Sequence, residues 1–195
     1  MLFKRSNIQF IIAGLGNPGN RYAQTRHNAG FWMLDALASR YCVKVARNRF
    51  HALCADGNVG DCRVLFMKPM TFMNLSGTSL SEAARFYKVP ADQILVLCDD
   101  ITLPPGVIRI RQQGSSGGHK GLASLIQTLG TDHFPRIKIG VGGAAHPDMD
   151  LVDWVIGKPD EKDLSLIMNR SDDIIAAVKL IVDGRCDLAQ SRYNK

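Results

Sequence analysis

The stretch Ile8-Gln9-Phe10-Ile11-Ile12-Ala13-Gly14-Leu15-Gly16-Asn17-Pro18-Gly19 decides the fold. Ile8–Leu15 is an apolar run ending among glycines, and it reads as a strand buried on both faces. Its apolar core, Phe10–Leu15, is too short to span a bilayer. Working outward, helix and strand patterns alternate. Asn28 to Tyr41 places Phe31, Leu34, Leu37, Ala38 and Tyr41 at helical spacing. Val43–Arg47, Ala52–Ala55 and Arg63–Met67 read as short strands, with Asp56-Gly57-Asn58 as a hairpin turn. Ser76 to about Tyr87 is a helix ending before Val89-Pro90, and Ile94–Cys98 is a second buried strand. Leu103-Pro104-Pro105-Gly106 must be a loop. Val107–Arg111 and Arg136–Val141 alternate apolar and basic residues as half-exposed strands do, and Lys120–Leu129 is a helix closed by Gly130. Leu164, Ile167, Met168, Ser171, Ile174, Ile175, Val178, Ile181 and Val182 form the stripe of one long last helix capped by Gly184.

The alternation predicts one α/β domain over residues 1–195, with a core of about 8–185 and frayed ends. Its sheet is mixed, mostly parallel and twisted, with helices on both faces. Ligands of such folds bind beyond the carboxyl ends of the strands. The loops after Leu15, Met67 and Cys98 are therefore where chemistry is to be sought.

Gly14-Leu15-Gly16-Asn17-Pro18-Gly19 also matches the dinucleotide fingerprint G-x-G-x-x-G. Pro18 removes a backbone N–H from the loop that would cradle a pyrophosphate, and helical periodicity starts only near Asn28. The next strand ends in Ala46-Arg47-Asn48-Arg49, without the acidic residue that a ribose needs. A nicotinamide enzyme is thus the weaker reading.

The 195 residues are 46 % apolar and 22 % charged, the balance of an ordinary globular domain. Met1-Leu2-Phe3-Lys4-Arg5 has charge but no apolar h-region after it, so no secretory signal is expected. Cys42, Cys54, Cys62, Cys98 and Cys186 are odd in number and scattered, which fits reduced thiols in a cytoplasmic protein. They indicate neither a disulfide framework nor a zinc cage. The formal charge of +6 is unevenly spread, since residues 1–60 hold eight Lys/Arg against Asp35 and Asp56 while residues 148–195 are net acidic. That asymmetry points either to a polyanionic partner for the first three-quarters or to no more than a solvated basic surface.

Five motifs carry a resemblance. They are Gly14-Leu15-Gly16-Asn17-Pro18-Gly19, Thr25-Arg26-His27-Asn28-Ala29-Gly30, Lys68-Pro69-Met70-Thr71-Phe72-Met73-Asn74-Leu75-Ser76-Gly77, Asp99-Asp100 before the Leu103 loop, and Gly117-Gly118-His119-Lys120-Gly121-Leu122. In that order they resemble the bacterial peptidyl-tRNA hydrolase family, from about Ile8 to Gly157 and on through the last helix. The resemblance implies a monomer without metal or cofactor that hydrolyses the ester between a peptide and the 3′ end of tRNA, thereby recycling tRNA. The partner it implies is peptidyl-tRNA, contacted at its CCA end, acceptor stem and 5′-phosphate. It implies His27 as catalytic base, Asp99 as its partner, and Asn17 and Asn74 as polar groups around the ester. Tyr22, Phe72 and Met73 would wall the site. Arg111 and Lys138 match the pair that clamps the 5′-phosphate. Lys120 stands where the family usually has an asparagine contacting the CCA end.

These residue types suit ester hydrolysis, which needs a base for water and donors for the oxyanion. The positive end of the helix beginning near Asn28 disfavours imidazolium at His27, keeping it basic, and a carboxylate then orients the ring. Adjacent residues at a strand end point to opposite sides, so only one of Asp99 and Asp100 faces His27. Alignment of the Leu-Pro-Pro-Gly run selects Asp99 and leaves Asp100 to order the loop. Asn17 and Asn74 each bring an acceptor and a donor, fit to tell a peptide amide from a free ammonium, although Asn74 is also placed to cap a helix. His119 is expected to be structural, within its glycine-rich turn. Arg109 with Arg111, and Arg136 with Lys138, form two basic pairs on strands that can hold phosphate oxygens. A different class of protein, an organelle splicing factor on the same scaffold, would lack the catalytic histidine.

Overall fold

The structure, a computed structural model, describes residues 7–144 and 149–194; the charged start Met1–Arg5 lies outside them. Seven strands form one sheet in the order β2-β3-β4-β1-β5-β7-β6. β1 (Phe10–Gly14), β4 (Cys62–Pro69), β5 (Ile94–Asp100) and β7 (Arg136–Gly140) run parallel in its centre. β2 (Arg47–Arg49) and β3 (Ala52–Val59) add antiparallel strands at one edge, and β6 (Ile108–Arg111) at the other. The expectation of a mixed, largely parallel sheet with helices on both faces is met.

Strand parity builds two cores. Phe10, Ile12, Val64, Phe66, Leu95, Leu97, Ile137 and Ile139 face α1 (Ala29–Arg40) and α6 (Ser171–Val182). Ile11, Ala13, Leu65, Met67, Val96 and Cys98 face α2 (Ser76–Tyr87) and α3 (Lys120–Leu129). Burial on both sides is why β1 reads as an unbroken apolar run. Glycines let the layers approach: a Cβ on Gly14 would meet the Gly30 carbonyl at 2.3 Å, and one on Gly77 the Ser124 carbonyl at 2.3 Å.

Several expectations change. Asp56-Gly57-Asn58 lies inside β3, and the chain turns instead at Gly60-Asp61. Gly57 is there for packing, because a Cβ would stand 2.7 Å from Val43 and 2.9 Å from Phe66. Val43–Arg47 gives a strand only at Arg47–Arg49. The single long helix is two, α5 (Glu161–Met168) and α6, separated at Asn169-Arg170. Up to Asn194, the last of the described residues, the end of the chain is not frayed: α7 (Cys186–Tyr193) packs on β6, and the Asn194 side chain bonds both backbone groups of Ile110. This covers an edge strand that would otherwise offer free backbone groups. α4 (Leu151–Ile156) had no counterpart in the sequence reading. Among the described residues no helix is long and apolar enough to cross a membrane.

Candidate active site

The carboxyl ends of β1, β4 and β5 open onto a cavity of about 610 Å³. Asn17, His27, Met73, Asp99, His119 and Lys120 are among the residues that line it, with α4 giving an apolar wall. β5 continues its alternation through Asp99 and Asp100. Asp99 therefore points to the α1 side, where His27 stands in the one-turn 3-10 segment Arg26–Asn28. Asp100 points to the other side and accepts from the Thr102 N–H, the Thr102 hydroxyl and, at 2.9 Å, Lys138 Nζ.

His27 Nδ1 lies 2.9 Å from both oxygens of Asp99. A carboxylate only accepts, so Nδ1 carries a proton, and in the neutral ring Nε2 is the nitrogen that keeps its lone pair. Nε2 has no hydrogen-bond partner among the described residues. Both groups are buried, Asp99 to 3 % exposure. Burial pushes the Asp99 carboxyl up, but the imidazoles of His119 and His27 outweigh it and hold the group below the usual carboxylate range.

His119 does more than shape a turn. Its Nδ1 accepts the N–H groups of Gly121 and Leu122, capping α3, and its Nε2 lies 3.0 Å from Asp99 Oδ1. Two donors on Nδ1 leave that nitrogen unprotonated, so Nε2–H donates to Asp99 and the ring is neutral. Left-handed Gly117 and Gly118 bring His119 there, and Gly121 has no room for a Cβ between Met73 Sδ at 2.6 Å and Leu15 at 2.8 Å. The sequence signal for this role is a titratable residue at the capping position of a clear helix.

Asn17 is half committed. Its side-chain oxygen accepts the Met73 N–H at 2.8 Å, while Asn28 holds both backbone groups of Asn17. Only the Asn17 NH₂ remains to meet a ligand, so the two-way role expected for it is not available. Asn74 is not a helix cap, since the residue before α2 is Leu75 and makes no side-chain cap bond. Its exposed side chain lines the cavity uncommitted. Phe72 and Met73 line the cavity too. Tyr22 does not; it stands behind Phe72, edge to face at 6.4 Å.

The basic pairs separate. Arg111 is exposed, but Arg136 is 1 % exposed and spends its guanidinium on the carbonyls of Gly114, Asp132 and Phe134. Arg136 is thus a structural residue, not a phosphate ligand. Lys138 lines the cavity, paired with Asp100. The dinucleotide reading loses its loop, because the N–H groups of Leu15 and Asn17 are already taken by the Leu97 carbonyl and the Asn28 side chain. A cysteine nucleophile is equally unsuited: burial, and then the Asp99 charge, push the Cys98 thiol far up. Among the described residues, His27, Asp99 and His119 are the one group whose ligand atoms lie close enough to share a metal ion. Their mutual hydrogen bonds already satisfy the carboxylate and fix both ring tautomers.

Residues 11–195 match the family model described as peptidyl-tRNA hydrolase. The chain is 44 % identical over 184 residues to the peptidyl-tRNA hydrolase of Clostridium perfringens, covering 94 % of this chain and 96 % of that one. It is 45 % identical over 184 residues to the protein of that name from Alkaliphilus oremlandii, covering 94 % and 98 %. The crystal structure of peptidyl-tRNA hydrolase from Acinetobacter baumannii superposes with a TM-score of 0.90 at 37 % identity, covering 97 % of this chain and 95 % of that one.

Proposed function

The chain belongs to the peptidyl-tRNA hydrolase family and is a hydrolase of the ester bond in peptidyl-tRNA, and from that premise we propose that His27 is its general base. The observation that carries this reading is the double hydrogen bond from His27 Nδ1 to Asp99, which makes Nε2 the basic nitrogen of the neutral ring and leaves it without a partner at the cavity.

Nε2 takes a proton from water as the oxygen attacks the ester carbonyl. Asp99 stabilises the imidazolium that forms, and His119 steadies the carboxylate from its other side. The Asn17 NH₂ donates to the carbonyl oxygen as its charge grows. Collapse of the intermediate breaks the bond to the ribose oxygen, which receives the proton from Nε2. The peptide leaves as a carboxylic acid that gives water's second proton to the solvent and becomes a carboxylate, and the tRNA leaves with a free terminal hydroxyl.

Asn74 contacts the peptide amide, Phe72 and Met73 pack on the acyl or CCA end, and Tyr22 supports Phe72. Arg111 and Lys138 clamp the 5′-phosphate at the end of the acceptor stem, and Lys120 contacts a phosphate of the CCA end. The enzyme acts as a monomer in the cytoplasm, a setting that suits its free cysteines. Release of tRNA from N-acetyl-aminoacyl-tRNA with EDTA present tests the reading. Activity that survives in His27→Ala would overturn the role of His27.

A further inference from the structure

α4 forms a wall of the cavity through Leu151, Val152, Val155 and Ile156, yet none of its residues is buried. Only Trp154, Val155 and Ile156 are half-buried, so specific contacts carry much of what holds the helix in place. Among the described residues, three hydrogen bonds tie it and its flanking glycine to the rest of the chain. Arg26 makes two of them, from its backbone N–H to the Gly157 carbonyl at 3.0 Å and from Nη1 to the Trp154 carbonyl at 3.4 Å. The third runs from Trp154 Nε1 to the Gly142 carbonyl at 2.7 Å. The Arg26 guanidinium also stacks on the Trp154 ring, 3.5 Å from its centre. Arg26 is 6 % exposed, and its Nε is buried without a partner. That orphaned donor shows a group placed for the stack rather than for full hydrogen bonding. Arg26 is joined by one peptide bond to His27.

We propose that Arg26 is a positioning residue, which through its stack on Trp154 fixes the apolar α4 wall against the segment carrying His27 and so sets preference for a large apolar acyl group beside the ester. This rests on the hydrolase reading above. Trp154 faces Arg26 while Leu151, Val152, Val155 and Ile156 face the cavity, so the stack sets the distance from the wall to the imidazole. The tRNA body, held elsewhere by cations, does not depend on it.

The chain has two tryptophans, so Trp32→Phe leaves Trp154 as the only emitter. In that background the parent is first shown to hydrolyse N-acetyl-leucyl-tRNA and N-acetyl-glycyl-tRNA. No turnover at this step would count against the hydrolase reading rather than against Arg26. Arg26→Met is then expected to raise acrylamide quenching of Trp154 and to lower the leucyl-to-glycyl ratio of kcat/KM about tenfold, the scale of an apolar side-chain contact. Arg26→Lys should fall between, because an ammonium stacks less well than a planar guanidinium. Affinity for deacylated tRNA should stay at the parent value. Trp154→Ala removes the same stack from a helix that contributes nothing to the core, and decides the matter if Arg26→Met does not fold. An unchanged leucyl-to-glycyl ratio in Trp154→Ala, or losses equal for both substrates and for deacylated tRNA, would overturn the proposal.

Discussion

His119 Nε2 donates to Asp99 Oδ1 at 3.0 Å while its Nδ1 caps α3, so a helix terminus dictates the tautomer of a ring beside the proposed base. Cap and donor can be separated. His119→Ala loses both, and His119→Asn keeps a capping oxygen but is too short to reach Asp99. Asparagine should therefore restore most of the stability that alanine loses, about 1 kcal/mol for a cap. Both should lower kcat by about tenfold, as for a lost hydrogen bond to a charged group. Thermal melts and steady-state rates on the two variants check this; a fully active His119→Asn would leave His119 with the cap alone.

Asp99→Asn exploits the same constraint. His119 Nε2–H must meet an acceptor, so the amide oxygen turns toward it and the amide NH₂ toward His27. His27 must then accept at Nδ1 and carry its proton on Nε2, the wrong nitrogen for a base. A drop of about 10³–10⁴ in kcat is expected, with little change in KM. Stability supplies a second readout. Since the native carboxyl titrates below its ordinary 3.8, it adds stability that is complete above that value and lost as pH falls toward the native pKa. Urea unfolding below about pH 4 should thus show a flatter pH dependence in Asp99→Asn than in the parent. Equal slopes would mean that Asp99 is not held low.

Asn17→Asp should now hurt chemistry rather than discrimination. One carboxylate oxygen can still accept the Met73 N–H, but the other replaces the only free donor with a negative charge facing the ester oxygen. A loss of about 10²–10³ in kcat is expected on blocked substrates. Discrimination against free aminoacyl-tRNA should instead move in Asn74→Asp, where both halves of the amide are uncommitted. Hydrolysis rates of N-acetyl-aminoacyl-tRNA and aminoacyl-tRNA in both variants separate the two roles, and the opposite pattern would exchange them.

The helices at Ser76–Tyr87 and Lys120–Leu129 were legible almost to their ends because their signals are local: periodicity, and Val89-Pro90 after the first and Gly130 after the second. Asp99 could be told from Asp100 for a similar reason, since strand parity alone puts them on opposite faces. Gly57 could not, because a glycine needed for packing against Val43 and Phe66 looks in sequence like one needed for a turn. The break between α5 and α6 hides behind an apolar stripe that continues in phase across it. α4 has six residues and no buried face, so it leaves little periodicity to detect. The commitment of Asn17 to Met73 joins residues 56 apart, and the Asp99 contact of His119 joins residues 20 apart. Neither leaves a mark on neighbouring sequence.

Arg111 and Lys138 are unequal candidates for a phosphate clamp, because Lys138 is already paired with Asp100 and Arg111 makes no ion pair among the described residues. Arg111→Ala should raise KM for full-length substrate, leave kcat near native, and reduce the salt slope of binding by about one phosphate contact. The effect should disappear on tRNA lacking its 5′-phosphate. Asp100→Asn frees the Lys138 ammonium and should lower KM on the phosphorylated substrate only. Parallel KM measurements on the two tRNAs decide; a loss in Arg111→Ala that is equal on both would remove the clamp.

Lys120 begins α3 and lines the cavity, so a cation sits where the helix's own positive end disfavours it. A lysine at that position is better matched to a bound anion than to the free protein. If a phosphate of the CCA end is that anion, Lys120→Asn exchanges a charge-assisted contact for a neutral one and also relieves the helix end. The variant should melt slightly higher than the parent and keep kcat within about threefold, since the contact is uniform binding rather than chemistry. Its affinity for a CCA-ended minihelix should fall most at low salt, where exposed charges are least screened. Lys120→Ala should show the same salt-sensitive loss, and a further loss at high salt if the phosphate is left without a hydrogen-bond partner. Titrations of the minihelix at two salt concentrations on all three proteins read this directly. Identical affinities throughout, with the higher melting temperature still present, would leave Lys120 a surface residue at a helix start and remove it from the site.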